Sequence, residues 1–170
     1  MLQCPAGVAI DSGLIVTRHV TQAPNDKQEI APALSQLQQQ AAALGKVDKL
    51  LADTGYFSEH NVQLLDGQTI TPYICAGRER HNVPLKERFS EAPVPAGLTH
   101  PVAAMKYRMK TKEGKAIYAK RKSTIEPTFG IIKHVLNFRQ FLLRGLEAAA
   151  GEWNLVCIGY NLKRMYELSV

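Results

Sequence analysis

The chain has 170 residues, 45% of them hydrophobic, and a formal net charge of +6. That length suits a single domain, 1–170, with room for a sizeable core. No run approaches the roughly 18 apolar residues of a membrane span, and Met1–Ile10 lacks the basic start and long apolar stretch of a signal peptide. Cys4, Cys75 and Cys157 are too far apart for a zinc site or a disulfide framework, which leaves buried or idle thiols of a reducing cytoplasm.

In chain order, Val8-Ala9-Ile10 and Leu14-Ile15-Val16 flank the turn Asp11-Ser12-Gly13 and predict a β-hairpin. Pro24-Asn25-Asp26 breaks the chain and offers caps for a helix over about Lys27–Leu44. Ile30, Leu34, Leu37, Ala41 and Leu44 recur there at helical spacing, with Gln36–Gln40 as the wet face and Gly45 as the stop. Val47–Ala52 reads as a short buried strand ended by Asp53. Thr54-Gly55 turns, and Ser58 or Glu59 starts a helix through about Leu65. Asp66-Gly67 closes it, and Thr69–Cys75 makes another strand. Strand–helix–strand order implies parallel pairing through a right-handed crossover.

The stretch at about 76–105 carries Pro84, Pro93, Pro95 and Pro101 without a sustained period, and reads as a linker or insertion. A basic helix region follows over Lys112–Phe138. The last helix, about Leu146–Leu168, is amphipathic. Leu146, Trp153, Val156, Tyr160 and Met165 are expected to point one way and cover the sheet.

Charge is segregated. Lys106–Arg144 holds eleven Lys or Arg and only Glu113 and Glu126 as acids, so it carries +9 while the rest carries −3. Such a division suggests a polyanionic partner.

Two carboxylates stand out. Asp53 directly follows Leu50-Leu51-Ala52, at the carboxyl end of a predicted strand, where ligands of open α/β sheets sit. The alternative is a turn or cap Asp before Thr54-Gly55. Glu126 lies among basic residues at the expected start of an apolar-faced helix. Lys133 follows two helical turns on, with Phe129 and Gly130 between them on that side. Ile125, Ile132 and Leu136 can face a core. The alternative is a capping box, Ser123-x-x-Glu126, with Pro127 in a first turn or kinking a longer helix. Two carboxylates so placed in a basic protein suit divalent-metal chemistry on a phosphodiester. The five histidines show no metal spacing, and no P-loop, G-x-S-x-G or dinucleotide fingerprint is present.

ADTGYFSEHN and KRKSTIEPTFGIIKHVLNFRQFLLRGLEAAAGEWNLVCIGYNLKR together resemble the carboxyl half of a bacterial insertion-sequence transposase of the DDE class. VAIDSGLIVTRHVTQAPNDKQ resembles the segment before the second acid of those enzymes. The resemblance implies an α/β, ribonuclease-H-like mixed sheet flanked by helices, and three acids holding two Mg²⁺ ions, with Mn²⁺ as a substitute. Asp53 corresponds to the second acid and Glu126 to the third. The family's Tyr, Arg, Glu, Lys set is matched in spacing by Glu126 and Lys133. Lys122 stands where the Arg is expected, beside Arg121, and Tyr118 is one position off the expected Tyr. The resemblance further implies double-stranded DNA at transposon ends as partner, through Tyr118, Arg121, Lys122 and Lys133. A homodimer in the DNA complex and a bacterial cytoplasmic location are part of the same expectation.

The first acid departs from the pattern. The resembled family carries it on a first strand upstream of the opening hairpin. Asp11 occupies a turn expected at the opposite end of the sheet from Asp53, so it is not expected to replace that acid. Asp26 and Asp48 have no better case. The expectation is therefore a fragment without the first strand, without an amino-terminal DNA-binding domain, and catalytically inactive. A non-catalytic DNA-binding remnant and a stand-alone ribonuclease-H-like nuclease are the other readings.

Overall fold

A computed structural model describes residues 2–77 and 100–170. These residues form a mixed α/β structure with two small sheets and several helices. The strands are β1 (Ala6–Val8), β2 (Ile15–Arg18), β3 (Lys49–Ala52) and β4 (Thr71–Ile74). The helices are α1 (Ile30–Gln39), α2 (Ala41–Leu44), α3 (Glu59–Gly67), α4 (Pro101–Arg108), α5 (Lys112–His134) and α6 (Leu146–Ser169). Two compact units divide the chain. One takes Met1–Pro24, Gln28–Lys46 and Lys120–Val170; the other takes Asn25–Lys27 and Val47–Ala119.

In the first unit β1 and β2 form the expected antiparallel hairpin, with Ala6 opposite Arg18 and Gly7 opposite Thr17. Gly13 closes the turn at φ +71°, a conformation that favours glycine. Ile15, Ile132, Trp153, Cys157 and Tyr160 make the core, joined by Phe129, which stacks on Trp153 at a centroid distance of 6.1 Å. α6 packs on β2, as expected of a sheet-covering helix.

The buried stripe of α6 follows the predicted one in its middle and departs from it at both ends. Trp153 and Tyr160 face inward as expected, with Ala149 and Cys157 beside them, whereas Leu146 and Met165 are exposed. Val156 is half-buried against the core. The helix is apolar on two faces, and hydropathy alone does not say how far along it the buried stripe runs.

The helix expected over Lys27–Leu44 is broken. Asp26–Gln28 forms a 3-10 turn, α1 begins at Ile30, and Gln40 interrupts the helix before α2. Ile30 and Leu34 are buried, but Ala41 and Leu44 are exposed, so apolar anchoring fades along the segment. Gln36 lies on the expected wet face, yet its amide is taken up by β2. Gln36 Oε1 accepts from Arg18 N, and Gln36 Nε2 donates to Arg18 O, both at 2.8 Å.

In the second unit β3 and β4 pair in parallel, Lys49 with Thr71 through Ala52 with Ile74, and α3 connects them. Ser58 caps α3 by accepting from Asn61 N at 3.1 Å, as its place before Glu59 predicts. Val62, Leu65, Tyr73, Ile74 and Met105 are buried, and α3, α4 and β4 pack together. The linker expected at 76–105 lies outside the described residues over 78–99. Its end is corrected: α4 already starts at Pro101, with proline in the first helical turn where its missing N–H costs nothing.

Candidate functional site

Asp53 leaves β3 in extended conformation and caps the Thr54–Tyr56 turn, its Oδ1 accepting from Thr54 N at 2.8 Å. The carboxylate is exposed. The turn-cap role is thus present, and it orients the carboxylate through one oxygen.

The surroundings of Asp53 are built by residues that sequence reasoning passed over. Asn61 is buried and donates from Nδ2 to Lys27 O and to Tyr56 O, each at 2.8 Å. It thereby ties the Asp26–Gln28 turn and the Thr54–Tyr56 turn to the first turn of α3. Gly55 explains the glycine in the run: a Cβ there would lie 2.7 Å from Asp26 Oδ2. The carboxylate of Asp26 thus packs on the turn that follows Asp53. Asn61 lies at helical position three of a capped α3, a signal that suggests a cap partner but not a long-range clamp.

Tyr118 reaches the same place. Its hydroxyl donates to Ala52 O at 3.3 Å, on the residue just before Asp53. Two residues singled out in the sequence, Asp53 and Tyr118, are in this way brought to one strand end within one unit. Nearby cations of this unit are partly committed to structure. Arg108 donates to Pro72 O at 3.1 Å and lies over the Tyr73 ring, and Lys106 lies over Phe57.

Glu126 sits on the α5 segment of the other unit, exposed, in the middle of a 23-residue helix. It does not stand at a helix start. The capping-box reading is also corrected, because Ser123 is itself helical and its hydroxyl donates to Lys120 O at 3.0 Å. Pro127 lies inside the helix. α5 is held in place one residue further on by Thr128, which is buried and shares a 3.1 Å hydrogen bond with Tyr160 Oη. Tyr160 Oη in turn donates to Gly13 O at 3.0 Å.

Lys122, Glu126 and Lys133 are all exposed and fall on one side of α5, four and seven residues apart. Gly130 leaves that side open, since nothing lies within 4 Å of where its Cβ would be. Phe129, expected on the same side, instead turns into the core against Trp153. Ile132 is buried as expected, whereas Leu136 lies beyond the helix end and is exposed. Arg121 is half-buried.

The cysteines serve packing. All three are free thiols. Burial pushes Cys157 up to about 12, with Arg18 pulling weakly the other way. Burial also raises Cys4, opposed by the charge of Lys133.

Asp53 and Glu126 supply hard carboxylate oxygens, the donor type Mg²⁺ takes, and Mg²⁺ commonly uses only one or two carboxylates while keeping several waters. Their chemistry fits that ion. Among the described residues, no group of three His, Cys, Asp or Glu side chains converges as a metal site. Among these residues, too, no helix is long and apolar enough to cross a membrane.

Residues 86–166 match the family described as a transposase DDE domain. The match includes Tyr118, Arg121, Lys122, Glu126 and Lys133, and leaves out Asp53. No curated protein and no solved structure matches the chain.

Proposed function

We propose, on the match of residues 86–166 to the transposase DDE family, that the protein is of the kind that acts on DNA by metal-dependent phosphoryl transfer at transposon ends, and that this chain by itself is catalytically inactive. The observation that carries this reading is the matched region itself, which contains Glu126 within a basic segment. In this proposal the chain is one ribonuclease-H-like domain of bacterial cytoplasmic origin. Asp53 and Glu126 hold Mg²⁺, or Mn²⁺ in its place. The metal supplies Lewis-acid activation of the attacking hydroxyl and neutralises charge at phosphorus.

The remaining work falls to protein groups. Thr54 N–H holds one Asp53 oxygen and so orients the carboxylate. Tyr118 braces the end of β3 through Ala52 O. Lys122 and Lys133 flank Glu126 and offset its charge, and with Arg121 they hold DNA phosphates. The +9 segment also favours a second reading, DNA binding without catalysis, because phosphate contacts need no metal.

Calorimetric titration with Mn²⁺ tests the shared site. Asp53→Ala and Glu126→Ala should each weaken binding by about tenfold or more, and the double variant should lose little further, as for ligands of one centre. Independent, additive losses would place the two acids in separate sites. A plasmid-nicking assay tests Asp11. It occupies an exposed hairpin turn, and we assign it no metal. The isolated 170 residues should not nick supercoiled DNA with Mg²⁺. Nicking that is lost equally in Asp11→Ala and Asp53→Ala would make Asp11 the third acid.

A further inference from the structure

Two leucines stand out of the loop that joins α5 to α6. Leu142 is 78% exposed and Leu143 53%, although both are apolar and adjacent. The loop keeps them there. Phe138 and Phe141 anchor it below, edge to face at a centroid distance of 5.4 Å, and Phe138 also packs on Trp153 of the core. On the α6 side the Glu152 carboxylate accepts from Leu142 N at 3.0 Å and from Leu143 N at 3.1 Å. Asn137 and Gly145, at φ +56° and +90°, bend the chain on either side. The backbone under both leucines is thus held before any partner arrives, and little ordering cost remains for contact. Adjacent apolar side chains presented on a braced loop mark a contact site.

Charge chooses the occupant. Arg139 precedes the leucine pair and Arg144 follows it, both exposed. Among the described residues neither takes part in an ion pair or a side-chain hydrogen bond. Of the nearest acids, Glu152 is spent on the two leucine N–H groups, and Glu147 lies beyond Arg144 in the first turn of α6. A partner for this loop has an apolar interior between two anionic groups. A DNA base step has that form, with stacked bases between phosphates. Leucine is among the wedges that enter such steps and unstack them, and guanidinium groups hold phosphate by paired hydrogen bonds. A lipid surface also sets anions over apolar matter. The loop lies within residues 86–166, matched to the transposase DDE family, and that favours DNA.

We infer that Leu142 and Leu143 form a wedge that enters a base step of bound duplex DNA, with Arg139 and Arg144 on the flanking phosphates. The inference rests on the DNA-acting reading above and adds to it a place where bases, and not only phosphates, are touched. None of these four residues is among those proposed to hold metal or phosphate around Asp53 and Glu126. Unstacking costs least at a mismatched step, so the wedge predicts a preference for DNA that carries one.

The full chain, titrated by fluorescence anisotropy, should bind a short duplex with one mismatch about tenfold more tightly than the fully paired duplex of equal charge. It should also raise the fluorescence of 2-aminopurine placed beside the mismatch. Leu142→Ser combined with Leu143→Ser should abolish both effects and leave the slope of log affinity against log salt unchanged, because leucine touches no phosphate. Unchanged circular dichroism would show that these exposed positions leave the chain folded. Arg139→Gln combined with Arg144→Gln should instead flatten that slope by about two units and keep the mismatch preference. Salt-sensitive binding with no mismatch preference and no fluorescence change would overturn the wedge and leave the DNA-acting reading standing. No binding to either duplex would overturn both. Leucine-dependent binding to anionic lipid vesicles, with the serine pair indifferent to DNA, would assign the loop to a membrane surface and overturn the wedge.

Discussion

Asn61 is 2% exposed and spends its side-chain amide on two carbonyls, of Lys27 and Tyr56, while its backbone N–H is capped by Ser58. Both bonds are part-buried, and each is worth about 0.5–1.5 kcal/mol. Asn61→Ala should therefore destabilise the protein by about 1–3 kcal/mol in urea unfolding, with Asn61→Asp no better because the carboxylate cannot donate. A loss below about 0.5 kcal/mol would mean that water replaces the amide and that the clamp is incidental. Gly55 belongs to the same arrangement, because any Cβ must displace the Asp26 carboxylate. The Asp53 carboxylate itself is oriented by Thr54 N–H.

At the scale of elements, β2 shows how a short sheet is closed. β1 covers one edge. On the other edge two side-chain amides take the place of a strand. Gln36 pairs with both backbone groups of Arg18, and Asn161 pairs with both of Ile15, all at 2.8 Å. An open edge invites pairing with another chain, and polar caps of this kind prevent it. Replacing Gln36 and Asn161 together by Ala should cost about 2–3 kcal/mol in unfolding free energy, near 1 kcal/mol or less for each lost bond. It should also raise the rate of aggregation followed by light scattering. Equal stability and unchanged scattering would show that water satisfies that edge.

At the scale of the whole molecule, the charge division gives the broadest expectation. Lys106–Arg144 carries +9 against −3 elsewhere. Within it, Arg108 and Lys106 lie against aromatic rings, whereas Lys122 and Lys133 stand exposed beside Glu126. DNA affinity should fall steeply with salt and vary little with sequence. Neutralising Arg121, Lys122 and Lys133 together should flatten the slope of log affinity against log salt by about two to three units, near one per phosphate contact. An unchanged slope, measured by fluorescence anisotropy, would move the DNA surface to other cations.

Local chemistry made much of this legible from the chain alone. The hairpin around Asp11–Gly13, the β3–α3–β4 order, the Ser58 cap and the extent of α6 each follow from signals within a few residues. So does the placement of Asp53 at a strand end. The likeness to the transposase DDE family over residues 86–166 was readable too, because long ungapped runs such as KRKSTIEPTFGIIK carry it. Only tertiary structure decided how far the buried stripe of α6 runs, because both sides are apolar and packing on β2 buries Ala149 and Cys157 beside Trp153 and Tyr160 while Leu146 and Met165 stay exposed. It also decided that Glu126 lies mid-helix, since Pro127 is compatible with a first turn and with an interior position that Thr128 anchors to Tyr160. And it revealed Asn61, Gln36 and Asn161 as clamps, because an amide's partner tens of residues away leaves no periodic trace in the sequence.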